Sequence, residues 1–94
     1  MAPSTDSPTI SSVSVDGTTI SWLVKNNDEL TATVKSEVSD STPDLNSVSL
    51  ASGATSAVQS QVINPVPVPF FIYATALATG KTISEPTSYY YEGY

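Results

Sequence analysis

The chain contains no cysteine, no histidine and no arginine among its 94 residues. Without cysteine it can form no disulfide, so its core must be held by hydrophobic packing alone. Without histidine and cysteine it also lacks an imidazole base, a thiolate nucleophile and the ligand types of a zinc site. We therefore expect no enzymatic activity, no cofactor and no metal site.

Positive charge is scarce as well. Three lysines stand against nine acidic residues, which gives a formal net charge of −6. Nucleic acids and anionic membrane surfaces both attract cationic proteins, so neither is an expected partner. No apolar run approaches the ~20 residues of a membrane span, and residues 1–8 lack the basic and apolar regions of a signal peptide. We expect no membrane insertion.

What the sequence does contain is hydrophobic alternation with a period of two. Short stretches of alternating apolar and hydroxyl residues are separated by turn dipeptides such as Asp16-Gly17 and Thr79-Gly80, and no segment shows helical periodicity. The predicted strands cover residues 9–15, 18–25, 30–38, 46–51, 55–63, 70–78 and 81–91. About seven strands at this spacing predict an all-β, antiparallel two-sheet sandwich over residues 9–94, preceded by a flexible leader at 1–8.

The same alternation predicts which side chains face the core. In the second strand Ile20, Trp22 and Val24 share one face, so Trp22 is expected between the sheets. In the third strand the inward face is predicted to comprise Leu30, Ala32, Val34 and Val38. The proline-rich segment 64–69 cannot be a central strand and is expected to cross between the sheets.

Three segments resemble fibronectin type III domains, within the wider immunoglobulin-like class. Ile20-Ser21-Trp22 is similar to the second-strand signature of that family, an aliphatic residue followed two positions later by a buried tryptophan. Residues 70–76 and 79–88 resemble its last two strands, with an alternating aromatic strand, a glycine turn and a Ser-x-Pro-x-Ser motif. Phe70 stands where the family usually has tyrosine. The resemblance implies a sandwich fold, but it implies no particular function because such sandwiches have many roles.

The C-terminal tyrosines are the candidate contact residues. Tyr89, Tyr90 and Tyr91 are consecutive, and neighbouring residues of a strand point to opposite faces, so they cannot all be buried. Tyrosine is enriched where proteins contact partners. We therefore predict partner contact at Tyr89, Tyr90, Tyr91 and Tyr94.

The loop at residues 40–44 carries two carboxylates, Asp40 and Asp44. A calcium ion takes 6–8 oxygen ligands, more than this loop supplies, so we interpret it as an ordinary polar connection. Carboxylate pairs can also act as acid and base in glycoside hydrolysis. In so small a domain, however, the acidic side chains are expected to be solvated surface charges.

These observations favour a non-catalytic structural or protein-interaction module. One setting that fits a small acidic sandwich is a virion component, such as a decoration of a phage capsid or tail. The alternative is a fibronectin type III-like spacer or adhesion repeat of a bacterial secreted or surface protein, contacting carbohydrate through its tyrosines. Both settings favour a virion or an extracellular surface as the location, with attachment to a larger assembly or oligomer formation.

Overall fold

Seven strands make up the described part of the fold. The computed structural model describes residues 3–39 and 46–92. Their order along the chain is β1 (Thr9–Asp16), β2 (Thr19–Lys25), β3 (Ala32–Val38), β4 (Asn46–Leu50), β5 (Gln59–Val62), β6 (Phe70–Ala78) and β7 (Thr87–Tyr91). The predicted all-β class and strand count are thus confirmed, and the predicted bounds of β6 agree to the residue.

The strands form two antiparallel sheets, as predicted. One sheet has the order β1-β2-β5 and the other β4-β3-β6-β7. The chain therefore changes sheet between β2 and β3, between β4 and β5, and between β5 and β6. The last of these crossings runs through the proline-rich segment, where Asn64-Pro65 and Val68-Pro69 are cis peptides. Proline supplies no ladder donor, which suits a segment that lies between sheets.

The core lies between the inner faces of the two sheets. β2 contributes Ile20, Trp22 and Val24, all fully buried, and β6 contributes every second residue from Phe70 to Ala78. Three of those five inward residues of β6 are alanines, whose small side chains occupy little of the space between the sheets. The prediction that Trp22 is buried between the sheets is confirmed.

Three predicted strands begin too early, and one of them is β5, which begins at Gln59 and not at residue 55. Leu30, expected on the inward face of β3, is 43% exposed and precedes the strand, which begins at Ala32. Its N–H donates to Oδ2 of Asp28 at 3.0 Å, so this segment follows a side-chain turn instead of the ladder. The last strand begins at Thr87 and not at Lys81. Before the strand begins, Ser84 lies beside β6, and its hydroxyl accepts a hydrogen bond from the Ala76 N–H at 2.8 Å.

Residues 3–8, expected to belong to a flexible leader, make hydrogen bonds to the C-terminal third of the chain. The Thr5 N–H donates to the Thr82 carbonyl at 2.9 Å, and the Thr82 N–H donates to the Pro3 carbonyl at the same distance. The Thr5 hydroxyl accepts from the Ala78 N–H at 3.0 Å and is itself buried. Thr5 thus satisfies a backbone donor of β6 at a position that β7 does not reach.

Candidate binding surface

The outward face of β6 is unusually apolar. Because its even-numbered residues point into the core, its odd-numbered residues point to solvent. Phe71 and Tyr73 are each 39% exposed, and Leu77 is 47% exposed. Tyr90 lies beside Phe71 in the β6–β7 register, and Ile83 lies beside Leu77. We call these five residues the outer apolar patch.

Among the three rings of the outer apolar patch, Phe71 contacts both of the others. The Phe71 and Tyr73 ring centroids are 5.9 Å apart with an interplanar angle of 14°. The Phe71 and Tyr90 centroids are 4.9 Å apart with the planes tilted by 45°. The rings thus form a compact cluster in which neighbours cover part of each other's faces, and they do not lie side by side in one plane.

Polar side chains border the patch on the β3 side. Lys35 and Glu37 point outward from β3 and lie opposite Thr75 and Tyr73 in the register. Two shallow grooves run between these strands. One has a volume of about 170 Å³ and lies against Lys35, Glu37 and Tyr73. The other, of about 260 Å³, lies between Lys35, Leu77 and Ile83. The surface therefore combines an apolar centre with a polar border, which is the usual arrangement of a protein interface.

The predicted contact tyrosines are divided between the faces of β7. Tyr90 is half exposed on the outer face, while Tyr89 and Tyr91 lie opposite Ile72 and Phe70 on the inner side. The Tyr91 ring stacks on Phe70 at 4.8 Å and is partly buried. Tyr89, at the edge of the sandwich, remains 37% exposed. Tyr94 lies outside the described residues, as do Asp40 and Asp44 of the loop considered for a cation.

Sequence reasoning missed four members of the patch: Phe71, Tyr73, Leu77 and Ile83. The signal for the first three was present, because a strand whose residues are apolar at both odd and even positions must expose one set when a single face meets the core. Ile83 carries no such signal, since it follows the strand in an irregular segment.

A second candidate site is a cavity of about 540 Å³ at one end of the sandwich, lined by polar residues that include Asp6, Asn26, Asp28 and Lys81. Two of its charged groups, Asp28 and Lys81, are already paired with each other. The Lys81 Nζ lies 2.9 Å from Oδ1 of Asp28, and that carboxylate also accepts from the N–H groups of Asp6 and Leu30, each at 3.0 Å. We interpret this cluster as structural.

The same contacts shift two ionisation equilibria. The hydrogen bond from the Asp6 N–H and that from the Lys81 ammonium hold the pKa of Asp28 below its ordinary value. The hydrogen bond to Asp28 raises the pKa of Lys81. Both shifts favour the charged pair, so the pair is intact at neutral pH.

Searches of protein-family models, of curated proteins and of solved structures found no match to this chain. Within residues 3–39 and 46–92 there is also no helix long and apolar enough to cross a membrane.

Proposed function

We propose that this domain is a non-catalytic interaction module of the fibronectin type III-like kind, which binds a protein partner through the outer apolar patch. The strand order supports the resemblance, because it pairs the second strand with the fifth and the third with the sixth across two Greek-key-connected sheets. This proposal is compatible with both settings considered above, a virion component and a repeat of a bacterial surface protein.

One observation carries the proposal. Five large apolar side chains, three of them aromatic, lie exposed on one side of the sheet, in an aromatic group and an aliphatic group with Thr75 between them, although the core behind them is well filled. An exposed apolar surface with polar neighbours is characteristic of a protein interaction site. The patch is not needed to complete the core, so contact with a partner is the role that remains for it.

The ring geometry favours a protein partner over a carbohydrate. A sugar ring binds on the open face of an aromatic ring, and an extended glycan needs several such faces in one plane. Phe71 and Tyr73 instead stack on each other, and Tyr90 is tilted against Phe71. An irregular apolar surface of this kind suits the side chains of a folded protein.

A pull-down with matched variants tests the proposal. The bait is the domain, incubated with lysate of cells that express it, and retained proteins are identified by mass spectrometry. The patch variant is Tyr73→Ser with Leu77→Ser. The control is Val62→Ser, which removes a more exposed aliphatic side chain from β5 in the other sheet. Thermal melts of all three proteins should agree closely, since surface substitutions change stability little.

We expect a partner that the parent and Val62→Ser domains retain and that the patch variant loses. A partner retained by the patch variant but lost by Val62→Ser would place binding on the other sheet and refute the proposal. A glycan array provides the remaining comparison. Glycan binding by the parent domain that Tyr73→Ser abolishes would favour the carbohydrate alternative.

A further inference from the structure

The free edge of β7 has backbone groups that point away from its own sheet. Phe71 bonds toward β3, because its carbonyl accepts from the Ser39 N–H at 2.8 Å and its N–H donates to Ser39 Oγ at 3.1 Å. Successive residues of a strand direct these groups to opposite edges, so Phe70 and Ile72 bond to Tyr91 and Tyr89 of β7. The residues between them in β7, Ser88 and Tyr90, therefore direct N–H and C=O outward.

The N-terminal segment covers this edge only at its start. The Thr87 hydroxyl donates to the Pro8 carbonyl at 2.6 Å, and the Ser7 hydroxyl donates to the Glu85 carbonyl at 3.0 Å. Beyond Thr87 no described strand pairs with β7, which is the last strand of its sheet. An open edge of this kind is a template for pairing with another strand.

Two of the three other edge strands, β1 and β5, carry features that hinder such pairing. β1 contains a register shift between Ser11 and Ser14, with Ser12 at a positive φ of 53°. β5 is only four residues long. Bulges and short length both discourage edge-to-edge association. β7 has neither feature, and no charged residue or proline interrupts it from Thr87 to Tyr91.

We propose that β7 pairs antiparallel with β7 of a second copy, about a two-fold axis at Tyr89. Each copy contributes one four-stranded sheet to the continuous sheet that results. In this register Ser88 faces Tyr90 of the second copy, and Tyr90 faces Ser88. Both residues direct their N–H and C=O outward, so each of these two pairs exchanges both of its hydrogen bonds.

The side chains fit the same register. On the outer face the large Tyr90 meets the small Ser88 of the second copy, and on the inner face Tyr91 meets Thr87. Large residues therefore oppose small ones, while the two half-exposed Tyr89 rings meet at the axis. Pro86, which has no N–H, ends the ladder on both sides. A pairing in which one strand complements itself favours a second copy over an unrelated strand, and it buries no charge.

Sedimentation equilibrium at domain concentrations from about 10 µM to 1 mM tests the pairing. High concentrations are needed because a single short strand from each copy makes a small and transient interface. We expect a monomer–dimer equilibrium. Ser88→Pro removes an outward N–H without touching the β6–β7 ladder and should raise the dissociation constant about tenfold or more. Ser88→Ala keeps the N–H and should leave it unchanged. Trp22 fluorescence and circular dichroism verify that each variant is folded.

A charge exchange at the axis tests the register. Tyr89→Lys and Tyr89→Glu each place like charges opposite each other across the two-fold axis, so each variant alone should be monomeric. Mixed in equal amounts, the two should form a heterodimer, a rescue that a purely structural role of Tyr89 would not produce. Tyr89→Phe is the matched control and should dimerise as the parent domain does.

The inference concerns the edge of β7 and does not rest on the proposed function. Leu77→Ser, which weakens the outer apolar patch, should leave self-association intact. A parent domain that stays monomeric up to 1 mM would overturn the pairing. So would a dimer that is insensitive to Ser88→Pro, or one that both Tyr89 charge variants still form alone, since the interface would then lie elsewhere.

Discussion

The indole Nε1 of Trp22 donates a hydrogen bond of 2.9 Å to Oγ of Ser36, and this bond joins the two sheets through the middle of the core. Trp22 belongs to β2 and Ser36 to β3, and both side chains are buried. A tryptophan N–H that is removed from water needs a hydrogen-bond acceptor. Ser36, one of the inward residues of β3, supplies this acceptor with a small side chain.

Ser36→Ala should destabilise the domain by about 1–3 kcal/mol, because it leaves the buried indole N–H without an acceptor. Trp22→Ala should cost about 3–5 kcal/mol through the cavity it creates. Urea denaturation followed by circular dichroism measures both. In Trp22→Phe the N–H is absent, so a further Ser36→Ala change should cost clearly less than it does alone. Equal costs in the two backgrounds would mean that the bond contributes nothing.

Alternation and turn chemistry were sufficient to predict the architecture. β6 was predicted to the residue because Phe70, Ile72 and the following alanines alternate with larger outward residues up to the Thr79-Gly80 turn. Periodicity failed where a side chain replaces the ladder. Asp28 holds Leu30 in a turn, and Ser84 bonds to β6 in place of a paired strand. These partners lie only two and eight residues apart, but an alternation of apolar and polar residues does not show which polar side chain will bond to the backbone.

The candidate surface was predicted only in part, for a related reason. The run of consecutive tyrosines predicts Tyr90 as a contact residue, whereas the alternation pattern assigns Phe71 and Tyr73 only to a predicted strand. Only the register of β6 against β3 and β7 shows that these side chains share a face with Tyr90. The sequence supplies the aromatic residues, and the pairing of strands brings them together.

The N-terminal segment should contribute to stability. Thr5→Val keeps the shape of the side chain but removes the hydroxyl that accepts from the Ala78 N–H, so the free energy of unfolding should fall by about 1–3 kcal/mol. Ser4→Ala, at the exposed neighbouring position, is the control and should be close to neutral. Chemical denaturation monitored by Trp22 fluorescence compares them. Equal stability of Thr5→Val and the parent domain would show that the segment is not firmly held.

The Asp28–Lys81 pair should make stability depend on pH at both extremes. The pKa of Asp28 is lowered in the folded state, so its stabilisation is complete above the ordinary value of 3.8 and is lost as the pH falls through the folded value. The pKa of Lys81 is raised above 10.5, so its contribution is lost as the pH rises through the folded value. In a plot of unfolding free energy against pH, Asp28→Asn should flatten the acid limb. Lys81→Met should flatten the alkaline limb. Limbs of unchanged slope would contradict the assignment.

Replacing Asn26 with aspartate should make the stability of the domain fall, and not rise, as the pH increases from the acid range. The Asn26 side chain is buried, and its Nδ2 donates to the carbonyls of Leu30, Leu50 and Ala51 at 2.8, 3.0 and 3.2 Å. Asn26→Asp keeps the shape but directs a carboxylate oxygen at these three acceptors. Burial and the facing carbonyls should raise the pKa of the new carboxyl group, so the protonated form is tolerated and the ionised form is not.

Stability of Asn26→Asp should therefore decrease as the pH rises above about 4, the ordinary value of an aspartate, and the penalty at neutral pH should reach about 3–5 kcal/mol. Asn26→Ala removes the donors without adding a charge, so its penalty should be independent of pH and serves as the control. Urea titrations of both variants at several pH values between 4 and 8 separate the two effects. A pH-independent penalty in Asn26→Asp would mean that water reaches this end of the sandwich and that the polar cluster is more open than its hydrogen bonds indicate.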